Sequence, residues 1–441
     1  MSSVDTGGGD ATSRLLARIV GRPGAAIPAG GDARRAFDGA DLSAAGLRRA
    51  GALPDPPPDW WDAGSARVRC AAAELQGCSL RSADLSTLSC NRVDLARADL
   101  AAAVLAGAQL GEARFDGALL EDADLRECHL RFASFRDAVL EGARMERADL
   151  RGAVLTGAHL EHADLRSAQL EEADLRGAKA QGADLRGARL VVADLRDADL
   201  RSADLREALV RATKFDGADL RNAQLQFLDL TTCALRGVRL ADAQLEHTRL
   251  HRAQLGDVVG EEAHGEYEFA RRAYLSLEHN FVAIGDPDAA SWAYRRRRRV
   301  QKLDARQRTG RAAQAGAWRQ AIASGSEYAI DQAVELSCDY GESVPRVIAT
   351  LAAVFLAFAG WYWLSGGVAR DVGPAPLHRV VTTAPSDLLR YTLTAMLSPG
   401  GAPEGLHPAN AHAQIVSLVQ SFLSIFLIGL LGFVAGNRIR R

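Results

Sequence analysis

The chain has 441 residues, with 53 basic and 55 acidic side chains, a formal charge of -2 and 48% hydrophobic residues. That balance excludes a strongly basic nucleic-acid binder, and the length has room for two or three domains. Six cysteines occur with no Cys-X-X-Cys pair, which excludes the common zinc-ribbon and thioredoxin-like motifs.

Residues 1–34 are rich in Gly, Ala and Ser and predict a disordered tail. Phe37, Leu42 and Leu47 are five residues apart, with Ala40 and Ala45 two residues before the last two, and predict a partial first coil over residues 35–53. The run from Pro54 to Trp61, with Pro56, Pro57 and Pro58, cannot continue parallel strands, so residues 54–70 read as a loop folded over that end.

From Leu75 to Leu255 a five-residue unit repeats over 37 consecutive positions, of which Leu fills 30. Two residues before each stands Ala in 28 units, and the commonest unit is Ala-Asp-Leu-Arg-X, as at Ala183 to Arg186. On a helix this period would make the leucines spiral, and on a continuous strand they would alternate between faces. The chain must therefore turn within every unit, which produces a β-solenoid with Leu inside and Ala admitting close approach of the walls. Cys78, Cys90, Cys128 and Cys233 fall on inward positions, where Cys acts as a small hydrophobe.

These units resemble the pentapeptide-repeat family over residues 71–255. The resemblance implies a right-handed quadrilateral β-helix of about 20 residues per coil, hence roughly nine coils and a rod about 43 Å long. Family members that mimic DNA and bind topoisomerases tend to be strongly acidic. Here residues 71–255 hold 30 acidic and 25 basic side chains, which argues against that role and against a nucleic-acid partner.

After Leu255 the pattern becomes helical through residue 345. Ala270, Tyr274, Leu277 and Phe281 are at helix spacing, Gly285-Asp286-Pro287 interrupts, and a second helix runs through Trp292 and Leu303. This pair is expected to cover the open end of the solenoid. Within it, Arg295, Arg296, Arg297, Arg298 and Arg299 read either as a solvated face or as a contact for anionic lipid headgroups.

Residues 346–441 read as a membrane module. Residues 347–368 carry no charge, and residues 415–436 form a second apolar span followed by Arg438, Arg440 and Arg441. Arginines flanking the start of the first span and the end of the second predict a multi-pass inner-membrane protein with both termini cytoplasmic and residues 369–414 outside. No apolar signal core precedes them. Between the spans, residues 388–397 are too short to cross and read as a re-entrant pore helix or an amphipathic surface helix.

The order Tyr340, Gly341, Glu342, Arg346, span, short segment, span resembles the two-span potassium-channel-type module, over residues 327–441. The resemblance implies a tetramer and places the pore and filter at Thr392, Thr394, Ala395, Met396, Leu397, Ser398, Gly400 and Gly401. The Thr-X-Gly-Tyr-Gly filter itself is absent, so potassium selectivity is not implied. In the second span Ser417, Gln420, Ser421 and Ser424 share one helical face, as a pore lining or as interhelical hydrogen-bonding groups.

No catalytic motif, metal set or cofactor loop is present, so no enzymatic activity is expected. Two function classes remain. One is an oligomeric ion-channel-like membrane protein whose cytoplasmic rod senses something or recruits a protein partner. The other is a membrane-tethered scaffold without conduction.

Overall fold

Each coil of the repeat region contains four units, because along the rod the residue before an inward side chain bridges in parallel to the residue 20 positions later, as in Asp99 to Leu119 and Asp184 to Asp204. The computed structural model describes residues 6–19, 40, 42, 61–62, 67–69, 75–372, 378–398 and 402–439. They form two units, Met1–Val300 and Gln301–Arg441.

Within a pentapeptide the backbone accounts for four of the five amides. Leu100 donates to Leu119 at 2.7 Å, Ala102 to Glu121 at 2.8 Å, Ala103 back to Leu100 at 2.9 Å, and Val104 to Ala83 at 2.8 Å. The bond to Leu100 closes a β-turn whose third residue is left-handed, so that corner holds Gly in many units, such as Gly187 with φ +66°.

The fifth amide explains the Asp-Leu-Arg signature. Arg126 N–H donates to Asp124 Oδ1 at 3.2 Å, and the Arg126 guanidinium grips the same carboxylate at 2.8 and 2.5 Å. Arg166, Arg186 and Arg206 repeat the arrangement on Asp164, Asp184 and Asp204. Elsewhere an acceptor one coil back serves instead, as when Gly111 N–H donates to Asn91 Oδ1 at 3.1 Å. The inward side chains are buried, and Phe115 and Phe135 stack at 4.7 Å inside the rod.

The N-terminal end differs from expectation in three ways. Residues 6–19 form helix α1 (Thr6–Ile19) instead of a disordered tail, because Ala11, Leu15 and Leu16 make an apolar stripe that joins the rod's core. Residues 67–69 are not loop: β1 (Trp61–Asp62) pairs antiparallel with β2 (Arg67–Arg69), and β2 pairs in parallel with β3 (Leu88–Ser89). Val68 sits 20 positions before Leu88, in the coil's own register. Cys90 is disulfide-bonded, with its partner outside the described residues, so it is more than a small hydrophobe. Ala40 and Leu42 do act as an extra coil, Leu42 N–H reaching Asp84 O at 2.8 Å and Asp84 N–H reaching Ala40 O at 2.7 Å. Phe37, Ala45 and Leu47 lie outside the described residues.

At the other end α2 (Gly260–Ala263), α3 (Tyr267–Ala283) and the start of α4 (Pro287–Gln314) close the coil. Ala270, Tyr274, Leu277 and Phe281 are all buried in the same core. Gly260 stands where the next inward residue would be. A Cβ there would lie 2.3 Å from Gly237 O, so only Gly lets the chain leave the coil at this point.

In the second unit, α4 ends and α5 (Trp318–Cys338) leads to α6 (Val344–Ser365). Gly366, left-handed with φ +62°, terminates α6, so Val368 belongs to a strand and not to the span. The connection that follows holds a three-stranded antiparallel sheet that the sequence did not signal: β4 (Val368–Val372) lies between β5 (His378–Val381) and β6 (Leu406–Pro408). α7 (Pro385–Leu397) lies between β5 and β6 in sequence, and α8 (Ala411–Ile439) ends the described chain.

Candidate functional site

α6 and α8 are long and apolar enough to cross a membrane, with mean hydropathies of 1.9 and 2.3 over windows only 11% and 28% buried. The core helix of a soluble protein would be mostly covered. Instead Ile348, Leu356, Trp363, Phe422, Phe426 and Phe433 are exposed.

Between these helices, α7 is anchored by polar groups that α8 supplies. Gln420 Nε2 donates to Thr392 O at 2.9 Å while Tyr362 Oη donates to Gln420 Oε1 at 3.1 Å. Ser421 Oγ donates to Ala395 O at 2.6 Å. Tyr362 and Tyr391 meet edge to face at 5.2 Å beneath this network. At the helix start Asp387 accepts from Thr382 Oγ1 at 3.1 Å and from Arg370 at 3.4 Å.

The polar face read in the second span and the short helix read between the spans meet here. Ser417, Gln420, Ser421 and Ser424 do share a face, but it is turned into the chain and fully or almost fully buried, so it lines no open path within one chain. Thr392 to Leu397 are helical, and no extended row of carbonyls exists there. Thr392 and Thr394 hydroxyls bond back to Leu388 and Arg390 carbonyls, Ala395 and Met396 are buried, and Leu397 is exposed. Ser398 caps the helix, its N–H donating to Thr394 O at 2.9 Å. Gly400 and Gly401 lie outside the described residues.

The arginine block is also committed internally. Arg296 pairs with Glu262 at 3.2 Å, and Arg297 pairs with Glu278 at 2.9 Å while lying over the Tyr294 ring. Arg298 and Arg299 have partners too, and all five side chains, Arg295 included, are half-buried. Arg296 and Arg297 therefore brace the rod's cap, and the block is no bare cationic patch.

Sequence reasoning missed the groups that finish the rod. Glu261, fully buried, accepts the amides of Leu240 and Ala241 through Oε1 at 2.7 and 2.6 Å, replacing the carbonyls of an absent coil. Burial pushes its carboxyl up to about 7. Asn280 exchanges two bonds with the Thr248 backbone at 3.1 and 2.8 Å, as a neighbouring strand would. No sequence signal marks these residues, because each acts once. Among the described residues no cluster of three or more His, Cys, Asp or Glu is placed to hold a metal ion.

The family model for pentapeptide repeats matches in eight copies, over residues 94–131, 118–157, 153–190 and 193–226. Among solved structures, the chain is similar to HetL, a pentapeptide repeat protein involved in heterocyst differentiation regulation from the cyanobacterium Nostoc sp. strain PCC 7120, at 31% identity over 40% of this chain and 83% of that one, with a TM-score of 0.26. A pentapeptide repeat protein from the Arabidopsis thaliana thylakoid lumen shares 31% identity over 24% of this chain and 70% of that one, TM-score 0.19. QnrB1, a plasmid-mediated fluoroquinolone resistance protein, shares 19% identity over 44% of this chain and 97% of that one, TM-score 0.22. No curated protein matches. The repeats imply a right-handed winding for the four-sided β-helix, and with the unbroken register and the matched relatives they establish that the chain belongs to the pentapeptide-repeat family.

Proposed function

We propose that this is a membrane-anchored pentapeptide-repeat protein whose rod acts as a cytoplasmic binding surface for a protein partner, with α6 and α8 serving as the anchor. One observation carries this reading: the polar groups of the second span are turned inward onto α7, leaving outer faces built from apolar side chains such as Leu418, Phe422 and Phe426. Such surfaces suit lipid, and polar groups in a membrane helix are stable where protein covers them. The test is reconstitution. Protein that resists alkaline extraction from membranes yet gives silent planar bilayers agrees with an anchor, and discrete conductance overturns it.

The oligomeric channel-like reading, a tetramer by analogy, keeps one point in its favour. A short helix between two candidate spans, packed against both, is the arrangement a pore module needs. It requires conductance that Gln420→Leu alters. For orientation we propose an inner-membrane protein with both ends cytoplasmic, on the strength of Arg346 and the terminal arginines. The Cys90 disulfide argues for an oxidising compartment instead. Alkylation of Cys90 in intact cells decides: a free thiol agrees with the cytoplasm, and an oxidised one overturns that placement.

A further inference from the structure

Helix α5 carries an apolar face that no part of its unit covers. Trp318, Ile322, Ile330 and Leu336 are 65%, 70%, 63% and 66% exposed. At 100° per residue they fall, with Ala329 and Ala333, within an arc about 120° wide that Arg319 and Ser326 also enter. The opposite face is polar and engaged with α4: Glu335 with Lys302, Glu327 with Arg308 at 3.0 Å, and Ser324 with Thr309 at 2.9 Å. A helix so divided requires an apolar medium on one side only.

Two further observations identify that medium. The stripe runs into the exposed surface of the first span, because Leu336 lines one groove with Arg346, Ala349, Thr350, Ala353 and Ala357 of α6. Exposed Arg311, in the last turn of α4, and exposed Arg319, next to Trp318 in the first turn of α5, flank the connection between the two helices. Basic side chains beside Trp at the edge of an apolar stripe are the composition of a helix lying in the headgroup layer.

We propose that α5 lies in the interfacial layer of the lipid bilayer, its Trp318–Ile322–Ile330–Leu336 face in the acyl boundary and Arg319, with Arg311 at the end of α4, at the phosphates. The proposal rests on the membrane reading of α6 and moves the lipid contact from Arg295–Arg299 to Arg311 and Arg319. It is tested on the full chain in phosphatidylglycerol vesicles, with a fluorophore at Ile322→Cys, Ile330→Cys, Gln320→Cys or Leu356→Cys and brominated lipid as quencher. Quenching at 322 and 330 of about threefold that at 320, with 356 quenched as well, is the expected result. Equal quenching at 322, 330 and 320 with 356 still quenched overturns the proposal and leaves the span intact. Shielding of 322 and 330 from lipid, with cross-linking between copies, also overturns it, because a second chain then covers the stripe. Loss of quenching at 356 removes the membrane reading itself, and this proposal with it.

Discussion

The rod and the C-terminal helical module solve one problem in opposite directions. Both must satisfy backbone polar groups beside apolar side chains. The rod does it outwardly: the amide left over in each unit is taken by a surface carboxylate, as Arg166 N–H is by Asp164. The module does it inwardly, with Gln420 and Ser421 bonding the Thr392 and Ala395 carbonyls out of reach of solvent. The rod's solution repeats because every unit has the same surplus amide. The module's solution is unique because α7 meets α8 once.

Breaking each solution at one residue separates the two regions. The largest effect is expected at the rod's exit, where Gly260→Ala puts a methyl 2.3 Å from Gly237 O and 2.9 Å from Arg239 Cγ. Because the nearer atom is backbone, relief requires moving α2, at a cost of about 3 kcal/mol. Hydrogen exchange of the full chain should show Leu240 and Ala241 amides losing protection while α7 is unchanged. Gln420→Leu should do the reverse. It leaves the Thr392 carbonyl and the Tyr362 hydroxyl without their partner, costing about 1 to 2 kcal/mol and raising exchange over residues 385–397 alone. Changes in both regions from either variant would mean that they unfold as one body.

How much of this was legible depended on whether a signal repeats. Leucine every five residues fixed the coil, and the Asp-Leu-Arg bias was visible before its purpose was. Glu261 and Asn280 were not, since a residue that replaces a missing coil leaves no pattern. The serine and glutamine stripe of α8 gave a direction, but a stripe does not say what faces it, and α7 turned out to occupy that side. The short helix over residues 388–397 was legible from its apolar pattern and is α7, whereas nothing in that pattern marked its start at Pro385 or its cap at Ser398. β4, β5 and β6 escaped because strands of three to five residues carry too little alternation.

A smaller effect distinguishes hydrogen bonding from ion pairing on the rod's surface. Asp184→Ala removes both the acceptor of Arg186 N–H and a guanidinium contact, and should cost about 1 kcal/mol, as loss of a capping side chain does. Arg186→Ala keeps the amide satisfied and removes only exposed ion pairs, to Asp184 and Asp204, so the smaller loss is expected there. Equal losses would make the ion pair the source of stability. Acid provides a second readout. Hydrogen bonds from Arg126, Arg166, Arg176 and Arg196 hold Asp124, Asp164, Asp174 and Asp194 below the ordinary carboxylate value of 3.8, against the opposing effect of burial. A depressed acid contributes stability above its unfolded value and loses it as pH falls through the native one, so coil melting temperatures should drop below about pH 4. Glu261 has the opposite sign: raised from 4.5 to about 7, it favours the fold most below 4.5 and progressively less as pH rises through 7. Glu261→Gln should flatten that decline without altering the acid limb.

The smallest effect concerns a corner the rod holds under strain. Val192 adopts φ +61° at a position where many other units place Gly, and a β-branched side chain is poorly suited to that conformation. Its side chain is 49% exposed, so little packing offsets the conformational penalty. Relief of about 1 to 2 kcal/mol in the folded chain, reduced by the greater freedom Gly has when unfolded, leaves Val192→Gly more stable by roughly 0.5 kcal/mol. A higher denaturation midpoint would show that the corners are set by backbone conformation. A lower one would show that the valine side chain holds its neighbours together, and would make the outer surface of the rod, like the inward face of α8, a place where side-chain contacts decide the structure.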